Sequence, residues 1–294
     1  MTGLACAYYL YKLCPVDLKL ELTLYDSHPI GERTSGIATG MLHKYCSAHG
    51  KKVWEADLGF AKTLAVLQEV APKSYTQTGM LRPSSYPELE KKFKKCARKY
   101  AVLEYWDIEK CRTAVPGMGE FEGLFIPHAL GVDCKDYLHN LWKACQLEGA
   151  KFIQSKIENL HSPLLEGSHT TIFAIGAHST SFPELAHHPI HAVKGQIARL
   201  SWPDKIPPLP FPLNAKVHIM MKADHKSCLI GGTYEHEFDS IEPQKNKALD
   251  TLLDKAYHLF PPLRGEKILS IQSGLRASVQ SLQRRPLTIS INPS

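Results

Sequence analysis

Apolar positions along this chain change period several times, and each change marks a new element. Leu4 to Leu13 is apolar nearly all round, which predicts a short buried helix, and Cys14-Pro15 ends it. The run "LKLELTLYD" (18–26) alternates as a strand does before turning apolar. "SHPIGERTSGIATG" (27–40) is a Gly/Ser/Thr-rich loop whose second half is too apolar for a linker. In 53–70, Trp54, Leu58, Ala61, Leu64, Ala65 and Val66 fall near one helical face. "PELEKKFKKCARKY" (87–100) predicts a second, strongly basic helix.

The stretch 131–160 reads as one unit. Asp133 supplies a helix cap, the helix runs to about Glu148, and Gly149 stops it. A strand is predicted at Lys151–Gln154 and another around Ile157. "HTTIFAIGAHS" (169–179) predicts a buried strand that ends at a glycine. "VKGQIARL" (193–200) and "CLIGGTYE" (228–235) predict strands on either side of the Pro-rich 203–212. A last helix is predicted over about Gln244–Leu259, closed by Pro261-Pro262. Alternating strands and helices without a repeat predict an α/β core.

Composition changes this picture little. The chain has 294 residues, enough for two domains, with 44% hydrophobic and 22% charged residues, as in an ordinary globular protein. A formal net charge of +6 permits an anionic partner without requiring one. Eight cysteines are scattered with no C-x-x-C, so neither a disulfide ladder nor a zinc site is predicted. "HHPIH" (187–191) is a poor metal site because Pro189 breaks a shared helical face. No stretch approaches the roughly 18 apolar residues of a membrane span. The first apolar run lacks a basic leader and a cleavage site, so a cytoplasmic protein without a metal is expected.

The opening "MTGLACAYYLYKL" raises a chemical question. Dinucleotide sites place G-x-G-x-x-G between a strand and a helix, so that the helix N-terminus faces pyrophosphate. Gly3 fits the third glycine, and Asp26, 23 residues on at the end of a strand, fits the acid that holds the ribose hydroxyls. Two earlier glycines would fall before Met1. Alone, a glycine before a helix and an acid after a strand are commonplace.

Further segments occur in a telling order: "YDSHPIGERTSGIATGMLHKY" (25–45), "GVDCKDYL…CQLEGAKF" (131–152), "TIFAIGAHS" (171–179), "VKGQIARL" (193–200), "GGTYE" (231–235) and "SGLRAS" (273–278). Together they resemble the D-amino-acid-oxidase-like family of FAD-dependent oxidoreductases, of the glycine and sarcosine oxidase type. The resemblance covers nearly the whole chain. It implies a Rossmann-like FAD-binding domain (1–50, 125–180 and 265–294) interleaved with a substrate domain (51–124 and 181–264) on a mixed or antiparallel β-sheet. It also implies oxidation of the C–N bond of an amino acid or related amine.

Site residues follow from the same resemblance. Asp26 would bind the adenosine ribose. Ser35, Gly36, Ile37, Ala38, Thr39, Gly40 and Met41 would run past pyrophosphate and isoalloxazine, small enough for backbone amides to approach the ring. Ile157 would contact adenine, and Gly176 and Gly195 would lie at the cofactor. Arg276 would grip a substrate carboxylate through a two-bond guanidinium fork, unless it is a surface arginine like Arg264, Arg284 and Arg285. His218 stands where such enzymes often carry a tyrosine; it would accept a substrate proton or sit satisfied in the core.

Relatives begin with a strand and two more glycines, and continue beyond the "RRPL" region with a Gly-rich segment and a helix. A flavoenzyme trimmed at both ends is therefore expected. The alternatives are a non-catalytic remnant that no longer binds FAD, and an oxidase acting on a modified tRNA wobble uridine. In the second case the "KKFKKCARK" helix would meet phosphates, although charge runs on helices are usually solvated faces.

Overall fold

The structure is a computed structural model and describes residues 1–47 and 49–279. The chain starts with α1 (Thr2–Leu13), β1 (Thr23–Asp26), α2 (Thr34–Ile37), β2 (Met41–Leu42) and α3 (Ala56–Val70). It continues through β3 (Tyr75–Thr76), β4 (Met80–Pro83), α4 (Pro87–Lys99), β5 (Glu104–Trp106), α5 (Ile108–Ala114), β6 (Gly123–Ile126) and β7 (Leu130–Val132). Then come α6 (Cys134–Leu147), β8 (Lys151–Gln154), β9 (Ile190–Ser201), β10 (Leu213–Asn214) and β11 (His218–Met221). β12 (Ser227–Gly231), α7 (Lys245–Leu259) and β13 (Ile268–Val279) complete the described chain. The expected α/β class holds.

Among the described residues the strands form three sheets. β1 and β8 pair in parallel, β2-β7-β3 form a small antiparallel sheet, and eight strands run in the order β13-β9-β12-β11-β10-β4-β6-β5. The large sheet is mixed, with β10 and β4 parallel and its other neighbours antiparallel. Register fixes its inner face. Cys228 stands opposite Leu200 and Ile230 opposite Ala198, all fully buried, with Leu252, Ala256 and Leu259 of α7 in the same core.

Helix periodicity accounts for the other two cores. α6 buries Tyr137, Leu138, Leu141 and Cys145 along one stripe, against α1 and α3. Its start is capped by Asp133, whose carboxylate accepts the Asp136 N–H, and Gly149 follows its end at φ +96°. α4 buries Leu89, Phe93 and Cys96 against Met80, Leu124 and Ile126, leaving its lysines outward. Phe93 is 1% exposed, so truncating it to alanine would cost about 3–5 kcal/mol.

Several sequence expectations require correction. The apolar run 169–179 is not a buried strand: 171–175 is irregular and has no ladder partner, Ile172 is 54% exposed, and Gly176–Ser181 is a 3-10 turn. No strand forms around Ile157 either, because the β1–β8 ladder ends at Asp26 and Gln154. α1 buries Leu4, Ala7 and Tyr8 but leaves Leu10 and Leu13 exposed. On α3 the buried face passes through Val66 and Leu67, and Trp54 and Leu58 face outward. β13 joins the large sheet through an antiparallel ladder to β9. "RRPL" lies outside the described residues.

No helix of the described chain is long and apolar enough to cross a membrane. All eight cysteines are free. Burial pushes the Cys111 and Cys228 thiols up to about 12, so both stay protonated and unreactive at neutral pH.

Candidate functional site

β9 and β13 pair with Gly195 opposite Gly274 and Val193 opposite Arg276. The Arg276 side chain then folds back across the strand. A Cβ at Gly195 would stand 2.3 Å from Nη2 of Arg276, and one at Gly232 would stand 3.4 Å from it. Gly195 thus leaves a slot in which the guanidinium lies, with Gly232 in ordinary contact at its edge. There Nη2 donates to the Thr233 carbonyl at 3.3 Å, and the cation sits 5.2 Å from the centre of the exposed Tyr234 ring. That distance suits attraction between a cation and the electron-rich ring face.

The segment carrying the expected cofactor contacts packs against the same place. Thr34 Oγ1 accepts the Leu275 N–H at 3.0 Å, and a Cβ on Gly274 would meet that oxygen at 2.7 Å. A Cβ on Gly231 would touch Thr39 Cγ2 at 3.4 Å. Gly36 and Gly40 serve close chain packing. A Cβ on Gly36 would lie 1.8 Å from the Gly31 carbonyl oxygen, and one on Gly40 (φ +55°) 1.9 Å from that of Val132. In return, the Val132 N–H donates to the Gly40 carbonyl at 2.6 Å. Ile37 closes the short α2, Ala38 follows it, and Met41 opens β2 opposite Gly131.

The remaining expected cofactor residues are spread over α1, β1, α2 and the turn that Gly176 begins. Asp26 ends β1, is exposed, and accepts the His28 N–H at 2.9 Å. Ser35 Oγ accepts from the Met1 ammonium at 3.3 Å. Burial lowers that ammonium's pKa, opposed chiefly by the attraction of Asp26. Gly3 faces Ala174, with 3.4 Å between an added Cβ and the alanine's own. Gly176, at φ +56°, has open space where its Cβ would stand, and the turn it begins packs on β9 and β13. Ile157 is half-buried in the irregular stretch after β8.

His218 begins β11, paired with Gly231 of β12. Its Nδ1 is buried and makes no hydrogen bond among the described residues. Burial first, then the charges of Arg276 and Arg82, push its pKa down to about 4. His43, which sequence reasoning missed, shares these properties: 8% exposed, Nδ1 unpaired among the described residues, and a pKa of about 4 from burial, Arg82 and His218. Both imidazoles are therefore neutral at pH 7. The available signal was position, since His43 follows Met41 by two residues. Arg82 itself is turned away, donating to the Tyr45 and Ser47 carbonyls at 2.9 Å.

Behind Arg276 lies a buried polar group of residues from β9 and the segment after β12. Gln196 is fully buried; its N–H donates to Thr233 Oγ1 at 2.9 Å and its Nε2 to Glu235 at 2.8 Å. Lys194, also fully buried, gives its ammonium to the Ser240 and Glu242 carbonyls at 2.8 and 2.7 Å. Among the described residues no group of three metal-type side chains converges.

A family model described as DAO, FAD dependent oxidoreductase, matches residues 1–288. No curated protein matches. Among solved structures, glycine oxidase from Geobacillus kaustophilus is similar at TM-score 0.80 and 18% identity, over 95% of this chain and 80% of that one. L-proline dehydrogenase from P. horikoshii gives 0.74 and 16%, over 99% and 82% of the two chains. L-alpha-glycerophosphate oxidase from Mycoplasma pneumoniae, dithionite-reduced with FAD bound, gives 0.73 and 16%, over 95% and 81%. At these identities the likeness is one of fold, whereas the family model spans the motifs themselves, and by it the chain belongs to the DAO family of FAD-dependent oxidoreductases.

Proposed function

We propose that this chain binds FAD and oxidises the C–N bond of an amino acid or a related amine. The observation that carries the reading is Arg276. Its guanidinium lies in a slot left by Gly195, its charge acts on the neutral His218, and its own strand is bonded through Leu275 to Thr34.

Two features of the residues fit a bound FAD. The space at Gly176 is open on the side a Cβ would take, and the buried Nδ1 atoms of His43 and His218 lack partners among the described residues. In this reading Asp26 holds the ribose, Ile157 lies at adenine, and Gly3, Ser35, Gly36, Ile37, Ala38, Thr39, Gly40, Met41, Gly176 and Gly195 line the cofactor. The FAD-binding domain is 1–50, 125–180 and 265–294, and the substrate domain is 51–124 and 181–264.

When bound, FAD supplies the two-electron acceptor for hydride from the carbon that bears nitrogen. The chain's own residues do the positioning. Arg276 takes the carboxylate through charge-assisted hydrogen bonds and so fixes the direction of the Cα–H. His218, held neutral by burial and by Arg276 and Arg82, adds no positive charge beside the substrate's amine.

The visible spectrum of the purified chain with and without FAD tests the reading. A bound-flavin spectrum is expected, with amine-dependent bleaching that Arg276→Ala weakens at least ~100-fold in kcat/KM for carboxylate-bearing substrates. Folded protein that takes up no flavin would overturn it.

A further inference from the structure

Arg276 reaches its slot by a hydrogen bond to a main-chain carbonyl, and that carbonyl belongs to a segment past the end of the β12 ladder. Something must hold the segment still. The Thr233 N–H donates to the Gln196 carbonyl at 3.1 Å, and Thr233 Oγ1 accepts from the Gln196 N–H. The same hydroxyl has one hydrogen left, which it donates to Glu235 Oε1 at 2.5 Å. Gln196 Nε2 donates to that oxygen as well, while Gln196 Oε1 accepts the N–H of Gln244 at the head of α7. Lys247 of α7 pairs with the other carboxylate oxygen at 3.3 Å. Main-chain bonds of 2.9 Å in both directions between Lys194 and Glu235 anchor the residue that carries this carboxylate.

We propose that Glu235 is a positioning residue for Arg276: acting through Thr233, it fixes the carbonyl that aims the guanidinium at the substrate's carboxylate. This rests on the reading of Arg276 as the carboxylate-binding group. The side chain of Glu235 is 11% exposed; burial raises its carboxylate's pKa, but hydrogen bonds from Thr233 and Gln196 together with Lys247 bring it below the usual value. Thr233 and Gln196 are 3% and 0% exposed, so water cannot readily replace the acceptor if it is removed. With Oε1 gone, the Thr233 hydroxyl and the Gln196 amide lose their shared acceptor, and the Thr233 carbonyl is left with its main-chain anchors alone.

A merely structural role would lower stability and leave discrimination untouched. The test is therefore the preference of the full-length protein for acetate over neutral acetamide, measured by ligand-observed NMR titration, which needs no turnover. Wild type should prefer acetate, and Arg276→Ala should abolish the preference. Glu235→Ala should reduce it about ten-fold. Glu235→Gln keeps an oxygen for Thr233 and Gln196, and should stay within about three-fold of wild type.

If wild type shows no preference, or Arg276→Ala keeps it, the reading of Arg276 falls and the inference with it. Loss in Arg276→Ala with full preference in Glu235→Ala overturns the inference alone. Should circular dichroism show Glu235→Ala unfolded, Thr233→Val replaces it; loss of preference there supports the relay, and retention overturns it.

Discussion

Placing a methyl group on Gly195 tests the site without dismantling the strand that carries it. The added Cβ would stand 2.3 Å from Nη2, 3.1 Å from Cζ and 3.3 Å from Nε of Arg276. Ordinary contacts between such heavy atoms are about 3.5–4.0 Å, so the guanidinium must retreat by roughly 1 Å. The obstacle is the far end of a long, exposed side chain, and no main-chain atom appears among the three nearest contacts. The strand can therefore keep its register while the arginine moves. Glycine in a strand interior is itself about 0.5–1 kcal/mol less favourable than alanine. Gly195→Ala should thus unfold within ~1 kcal/mol of wild type, and on the stable side if anything.

Function should respond differently. A displacement of about 1 Å at a positioning group can lower a rate ~100-fold, which corresponds to about 2.7 kcal/mol of transition-state stabilisation. The assay pairs a thermal melt with kcat/KM for an amino acid and for the matching amine without a carboxylate. The amino acid should lose up to ~100-fold and the amine little. A folded Gly195→Ala protein with undiminished kcat/KM for the amino acid would refute the placement of Arg276. A variant that fails to fold would refute the claim that the crowding is confined to a movable side chain.

Gly40→Ala should behave oppositely. Its Cβ would meet the Val132 carbonyl oxygen at 1.9 Å, from a backbone at φ +55°, so a loss above ~2 kcal/mol in urea denaturation is expected. His43 and His218, with folded pKa values of about 4 against 6.5, bind fewer protons folded than unfolded between those limits. Stability is therefore fullest above pH 6.5 and falls as pH drops towards 4, by up to about 3 kcal/mol per histidine; His43→Leu should flatten the Tm–pH curve over that window. Asp133 caps α6 and pairs with Lys222 at 2.5 Å. Asp133→Ala should cost about 1–2 kcal/mol, and Asp133→Asn, which keeps a capping oxygen, under ~1 kcal/mol, by urea denaturation.

What could be read from the sequence was what is decided locally. The cap at Asp133, the stop at Gly149 and the strand Lys151–Gln154 depend on residues a few positions apart, and all three stand where the pattern put them. "IFAI" at 172–175 misled because an apolar run states a wish for burial without naming a partner. A ladder requires a neighbouring strand, and none lies beside it among the described residues. β13 joins β9 across some 80 positions of sequence, a pairing that no local period announces. His43 carries no pattern at all; only the fold shows that its ring is buried with a nitrogen unpaired among the described residues.

The glycines at the seam between the small sheets and the large one fall into two kinds, and the difference explains how the site can be both firm and adjustable. At Gly36 and Gly40 the missing Cβ would strike main-chain oxygens at 1.8 and 1.9 Å, and at Gly274 it would meet Thr34 Oγ1 at 2.7 Å and Cα at 2.9 Å. Those positions bring backbone against backbone, and packed backbone has no way to yield. At Gly195 the missing Cβ would strike only the guanidinium of Arg276, and at Gly232 it would meet that guanidinium at the 3.4 Å of an ordinary contact. Those positions make room for a charge that rests on one carbonyl and one ring, and so can shift to meet a ligand. Substitutions of the first kind should therefore appear as lost stability at every pH. Those of the second kind should appear as lost discrimination in a protein that melts normally, a separation that no single well-packed core position would give.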